Sequence, residues 1–224
     1  MMKKSKRSDV DPFIVMDVME SARIAEEKGK DIIHMEVGQP GTPAPKIAKD
    51  YITNEINKNN LGYTVSLGLP ALRAKISKLY GDWYNLDLNP NRIVVTTGSS
   101  GAFILSFSAL FDSGDRVGIG SPSYPSYRQI LKSLSLETVD IQTKLQNRFQ
   151  PVPEDITNNN LNGILVASPA NPTGSMLDKQ SLENLINTAN ENNVSFISDE
   201  IYHGIQYENN PTSALEITDN CYVI

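Results

Sequence analysis

One cysteine, two histidines and one tryptophan are spread over 224 residues, and each scarcity closes off a class of protein. The lone Cys221 cannot form an internal disulfide, which excludes a disulfide-stapled scaffold and fits a reducing, cytoplasmic setting. His34 and His203 are too few for a His/Cys metal centre, so no resident metal is expected. No apolar run approaches the ~20 residues that span a bilayer, so no membrane partner is expected. Positive charge is also short. The 20 Lys and Arg residues face 26 Asp and Glu, a net charge of −6, and no nucleic-acid surface is expected. The basic cluster Lys3, Lys4, Lys6 and Arg7 runs into Asp9, Asp11 and Pro12 rather than an apolar segment, which argues against a secretory signal. No lysine follows Lys179 and no arginine follows Arg148. What is present, 39% hydrophobic and 21% charged residues, is an ordinary globular composition, long enough to bury a sizeable core.

Periodicity and breakers divide the chain. After Asp11-Pro12, the spacing of Val15, Val18, Met19, Ala22 and Ala25 predicts a helix that stops at Gly29. Residues 32–37 predict a short strand, and 38–45 a loop crowded with Gly and Pro. Helices are predicted at about 45–58 and 70–84, the second with Pro70 in its first turn. From residue 92 the rhythm becomes strand, loop, helix: strands at 92–96, 116–119, 136–141, 164–167 and 194–198, and helices at 100–111, 127–134 and 178–192. Residues 221–224 open a further strand. Such alternation predicts an α/β fold, a three-layer αβα sandwich around a mostly parallel sheet. Right-handed crossovers then bring every strand's carboxyl end to one edge, where ligands bind. Trp83 is expected to be a packing anchor, Cys221 an inert buried thiol and His203 loop surface.

Four loops on that edge carry the chemistry. Thr96-Thr97-Gly98-Ser99-Ser100-Gly101 runs from a strand into a helix and offers free backbone N–H groups, a positive dipole end and two hydroxyls, as a phosphate cradle requires. A Gly-Ser turn capping a buried helix has the same letters. Pro122-Ser123-Tyr124-Pro125-Ser126-Tyr127 delivers two tyrosines that either cover an aromatic ligand or fill the core. Ser168-Pro169-Ala170-Asn171-Pro172-Thr173-Gly174 delivers a carboxamide able to donate to an anionic oxygen, or forms a bare turn. Ser198-Asp199-Glu200-Ile201-Tyr202 ends a buried strand on a carboxylate, which is costly to bury without a cation or several donors. A helix N-cap at Asp199 is the bland alternative. Together the four suit a flat, charged, polar molecule.

Ala167-Ser168-Pro169-Ala170-Asn171-Pro172-Thr173-Gly174 followed by Ser198-Asp199-Glu200-Ile201-Tyr202 resembles the signature of pyridoxal-phosphate enzymes of the aspartate aminotransferase fold, the class I/II aminotransferases of fold type I. The resemblance runs from about residue 30 to the end and covers the first part, a little over half, of such an enzyme. It implies a pyridoxal 5′-phosphate cofactor and amino-group transfer between an amino acid and a 2-oxo acid. Residue by residue, it implies that Ser99, Ser100 and Gly101 hold the phosphate, that Tyr124 lies over the ring, that Asn171 and Tyr202 meet the phenolate oxygen and that Asp199 pairs with the pyridine nitrogen. Val37-Gly38-Gln39-Pro40 resembles the early substrate loop, with Gly38 meeting the substrate carboxylate through its backbone. Gly62-Tyr63-Thr64 resembles the segment that supplies a tyrosine to the neighbouring subunit's cofactor phosphate, which implies a homodimer. Residues 1–48 then correspond to an arm and small-domain segment, and 49–224 to the large cofactor-binding domain. The departure lies downstream. The family's Ser-x-Ser-Lys segment, source of its Schiff-base lysine, has no counterpart here, and neither does its carboxylate-binding arginine. No catalytic residue is therefore assigned within the chain, which is expected to be a fragment inactive by itself. A carbon–sulfur β-lyase or cyclopropane-forming synthase with the same loops, and a non-catalytic binding paralogue, remain alternatives.

Overall fold

The computed structural model describes residues 3–207 and 209–224. The chain falls into two compact units, one comprising Pro12–Leu69 and the other Pro70–Ile224 together with the segment that ends at Asp11.

The larger unit is built on five parallel strands, β1 (Arg116–Ser121), β2 (Glu137–Gln142), β3 (Gly163–Ala167), β4 (Ser195–Asp199) and β5 (Tyr222–Val223), in the order β2-β1-β3-β4-β5. The register pairs Val117 with Gly163 and Thr138, and Ala167 with Asp199. The order reverses between β1 and β3, because the chain steps outward to β2 and then returns past β1. In parallel sheets such a switch point opens a crevice at the strands' carboxyl ends.

Alternation along the strands sorts the core into two faces. Val117, Ile119, Leu165 and Ile197 pack with Phe103 and Phe107 of α4 (Gly98–Leu110) and with Tyr127, Ile130 and Leu131 of α5 (Pro125–Ser133). Ile164, Val166 and Phe196 pack on the opposite face. There they meet Ile156 of α6 (Pro153–Thr157) and the stripe Leu182, Leu185, Ile186 and Ala189 of α7 (Lys179–Glu191). That i, i+3, i+4, i+7 spacing is why α7 lies flat on the sheet. Asp178 caps it, its carboxylate accepting from Ser181 N at 2.8 Å. Gly163 is required by close approach: a Cβ there would lie 2.2 Å from the Phe111 ring. The three-layer α/β architecture matches the expectation from alternation.

Helix α3 (Pro70–Tyr84) carries Arg73, whose buried guanidinium donates to Pro90 O at 2.7 and 3.0 Å and to Asn91 Oδ1 at 3.0 Å. Residues 92–96, expected as a strand, form none. They begin in a 3-10 turn, Pro90–Arg92, and although Ile93 is extended, no ladder includes them. Extended backbone without a neighbour does not become a strand.

In Pro12–Leu69 the helices are α1 (Ile14–Glu27) and α2 (Lys46–Ile56). Gly29 ends α1 at φ +78°, its N–H donating to Glu26 O at 2.8 Å. The expected strand at 32–37 is irregular. Its side chains are held by a local clasp, His34 Nδ1 lying 2.7 Å from Glu36 Oε1 and Nε2 2.9 Å from Glu26 Oε1.

Candidate functional site

The loop after β3 is pinned before it can present anything. Buried Gln150 donates to Ala167 O at 3.0 Å and to Ser175 O at 3.1 Å, on either side of the loop. Inside it Ala170 N donates to Ser175 O, and Gly174 N to Ala170 O at 2.7 Å, with Gly174 at φ +67° where a side chain would strain the turn. Asn171 projects from this frame, and its Nδ2 donates to the Tyr202 hydroxyl at 3.3 Å. Residues expected to share one ligand oxygen thus already meet, although 31 positions separate them.

Asp199 closes β4 on the face shared by Ile197, α4 and α5. It is 4% exposed. Its Oδ2 accepts from the Tyr127 hydroxyl and its Oδ1 from Ile201 N at 3.1 Å. No helix follows it; residues 201–204 form a turn. Burial pushes the carboxyl above the usual carboxylate range, and the two hydrogen bonds offset that only in part. Burial first, and the Asp199 charge second, raise the Tyr127 phenol, so it stays a donor. Neither partner is a cation, so the carboxylate is poised for one.

Tyr127 links the parts of the site. Its ring meets Phe103 edge-on at 5.1 Å and Tyr124 at 5.4 Å. Phe103 lies one turn along α4 from Ser99. A contiguous path therefore runs from the α4 N-terminus through Phe103 and Tyr127 to Asp199, with Tyr124 beside it at the head of α5. Gly98, at φ +78°, turns the chain into α4, and the Thr97 side chain makes no capping bond. Ser99 and Gly101 are half-buried and Ser100 exposed in that first turn. A Cβ at Gly101 would press on Thr97 Oγ1 at 3.0 Å. The glycine keeps the entry to the helix narrow while its early N–H groups face outward, an anion-binding geometry.

Gly38 and Tyr63 belong to the other unit, Pro12–Leu69. Both are exposed; a Cβ on Gly38 would meet nothing within 4 Å, and Tyr63 is fully open to solvent.

Two residues were underweighted by the sequence. Tyr127 was one of two tyrosines with a core alternative; the spacing Tyr124-x-x-Tyr127 across a helix start was the signal, since it stacks the pair one turn apart. His203, expected on the loop surface, is not there. Its side chain is 5% exposed. Nδ1 lies 2.6 Å from the Tyr84 hydroxyl and Nε2 2.9 Å from Ser168 O. Tertiary contacts 119 and 35 positions away bury it, which no local pattern announces. Trp83 covers Gly204, where a Cβ would come within 2.7 Å of the indole. Cys221 is half-buried, its thiol pushed up to about 12 chiefly by burial, and so unreactive.

The model of the family described as aminotransferase class I and II matches residues 30–222. The chain belongs to that family. The valine–pyruvate aminotransferase of Mycobacterium tuberculosis is 40% identical to it over 210 residues, covering 93% of this chain and 54% of the relative. The aspartate aminotransferase of Thermotoga maritima is 33% identical, covering 91% and 55%. An aminotransferase crystal structure from Mycobacterium tuberculosis superposes with a TM-score of 0.93 at 38% identity, over all of this chain and 59% of that one. The α/β sandwich is therefore the fold-type I aminotransferase architecture, and the chain spans about half the length of the relatives it matches. Among the described residues no helix is long and apolar enough to cross a membrane.

Proposed function

We propose that this aminotransferase-family chain supplies the cofactor-binding loops of a full-length transaminase, which moves an amino group between an amino acid and a 2-oxo acid using pyridoxal 5′-phosphate. The observation that carries the reading is Asp199, a carboxylate buried at a strand end with a phenol and an amide for partners and no cation. A protonated ring nitrogen is the partner such a group needs.

The donor set fits that cofactor end to end. The first-turn N–H groups of Ser99 and Ser100, in a turn that Gly101 keeps narrow, suit its phosphate ester, the Asn171 amide and Tyr202 hydroxyl suit its phenolate oxygen, and Tyr124 suits a ring face. When bound, the cofactor serves as an electron sink for the substrate's α-carbon. This chain's residues have narrower tasks. Asp199 keeps a proton on the ring nitrogen through a charge-assisted bond of about 1.5–3 kcal/mol. Tyr127 holds Asp199 in orientation. Asn171 and Tyr202 steady negative charge on the facing oxygen. The α4 N-terminus anchors the phosphate and so fixes where the ring lies.

Residues 1–48 are assigned to the arm and small-domain segment, with Gly38 in the substrate loop. Full exposure of Tyr63 supports its donation to a second subunit in a homodimer. The single cysteine supports a cytoplasmic setting.

The test is made on the full-length protein. Purified wild type is expected to be yellow and to form a 2-oxo acid from an amino donor, and Asp199→Ala to lose most of that turnover. Near-normal turnover in Asp199→Ala would overturn the assignment of Asp199, and pyruvate plus ammonia as products would replace transfer with β-elimination.

A further inference from the structure

We infer that His203 is a positioning residue, an imidazole clamp that holds the Tyr202 loop in register with the Asn171 loop when those two side chains turn to a ligand. The inference rests on the reading of Asn171 and Tyr202 as ligand donors.

Among the described residues, three hydrogen bonds join the loop after β3 to the end of β4 and the loop that follows it. The first is the backbone bond from Ser168 N to Asp199 O at 3.1 Å. The second runs from His203 Nε2 to Ser168 O at 2.9 Å, and the third from Asn171 Nδ2 to the Tyr202 hydroxyl at 3.3 Å. The third is the longest, half-buried, and made by the very donors that an anionic oxygen would recruit. Each proton turned toward that oxygen weakens it. The His203 bond makes no ligand contact, so it stays whole and becomes the only side-chain link of the three.

The ring's orientation is over-determined. Ser168 O can only accept, so Nε2 carries the proton. In the neutral ring Nδ1 is then bare and accepts from the Tyr84 hydroxyl at 2.6 Å. Tyr84 belongs to α3, so the clamp ties both loops to a helix. Glu200 Oε2 lies 3.6 Å from Nδ1, a separation that resembles an ion pair. Burial lowers the imidazole and raises the carboxyl, which works against a charged pair there. Glu200 Oε1 is engaged by Ser198 Oγ at 2.9 Å and Ala214 N at 2.8 Å, while Oε2 is buried without a partner. The turn just past His203 is shaped for the same purpose. Gly204, at φ +92°, lets the chain leave beneath the Trp83 ring.

A buried histidine that merely fills space would leave the loaded site unchanged when replaced. The discriminating experiment uses full-length holoenzyme carrying His203→Ala or His203→Gln, followed by cofactor dissociation and by the pH midpoint of the bound cofactor's visible band. His203→Ala is expected to release cofactor about ten-fold faster, by analogy with the loss seen when groups that orient metal ligands are removed, and to move the band's midpoint. His203→Gln, whose amide can donate to Ser168 O, is expected to restore most of both. Wild-type dissociation and midpoint in His203→Ala, with only the melting temperature lowered, would overturn the clamp. Should His203→Ala fail to fold, nitrogen-15 NMR of the wild-type ring decides: a neutral, Nε2-protonated imidazole with a slowly exchanging proton is expected, and a freely titrating ring rejects the inference. Full-length protein that binds no cofactor would sink the proposed function instead, leaving the NMR result to judge the clamp.

Discussion

In Pro12–Leu69 no residue is buried, and its side chains meet in local ion pairs: Arg23 with Glu20 and Glu27, Lys46 with Asp50, His34 with Glu26 and Glu36. In Pro70–Ile224 two apolar clusters fill both faces of a parallel sheet, and even polar groups such as Arg73, Gln150, Asp199 and Glu200 are buried and bonded. Apolar residues are present in the smaller unit too, but Ile14, Ile33, Met35, Ile47 and Ile52 are exposed and none reaches full burial. The difference teaches where stability resides. Burial of apolar area and desolvated hydrogen bonds stabilise the site-bearing unit, whereas exposed ion pairs contribute little.

The contrast predicts unequal responses to truncation. Phe107→Ala, which empties the α4 face of the core, is expected to cost about 3–5 kcal/mol in denaturant unfolding. Ile47→Ala in the smaller unit is expected to stay within about 0.5 kcal/mol. Equal losses would erase the distinction.

The two histidines sharpen it, one in each unit. His34 is raised to about 9, first by its bond to Glu36 and then by that to Glu26. Its contribution to stability is therefore present below its ordinary value of 6.5 and lost as pH rises through about 9. His203 is lowered, chiefly by burial, so its contribution is present above 6.5 and lost as pH falls through its depressed value. Proton NMR titration is expected to place the His34 midpoint well above 6.5 and that of His203 below it; coincident midpoints would contradict the burial difference.

Tyr127→Phe is expected to cost about 1–3 kcal/mol, because it removes a donor from buried Asp199 while keeping the ring against Phe103. The same change should raise the Asp199 carboxyl further, measurable by carbon-13 NMR. An unchanged carboxyl would mean that the phenol only packs. At the small end, Lys46→Ala breaks an exposed i, i+4 pair and is expected to cost no more than about 0.5 kcal/mol.

Legibility in the sequence followed local pattern rather than this division. The helices α1 to α5 and α7 and the strands β1 to β4 were readable within a few positions from apolar spacing and flanking breakers, whereas the short α6, in a stretch rich in Asn and Pro, was not. The strands expected at 32–37 and 92–96 were misread. Ile32-Ile33 and Val94-Val95 have strand-like composition, but a strand needs a neighbour, and composition cannot supply one. At the site, the Asn171 and Asp199 loops announced themselves through short polar motifs after apolar runs. Tyr127 and His203 did not, since their significance lies in partners 72, 119 and 35 positions away.

By itself the sequence determined the family, the α/β alternation and the loops that gather at the strand ends, since each is written in neighbouring residues. Tertiary structure alone decided that Tyr127 grips Asp199, that Asn171 and Tyr202 meet, and that His203 is a buried ring. Those outcomes depend on desolvation and on hydrogen bonds between distant segments, and both exist only once the sheet has brought β3, β4, α3 and α5 together.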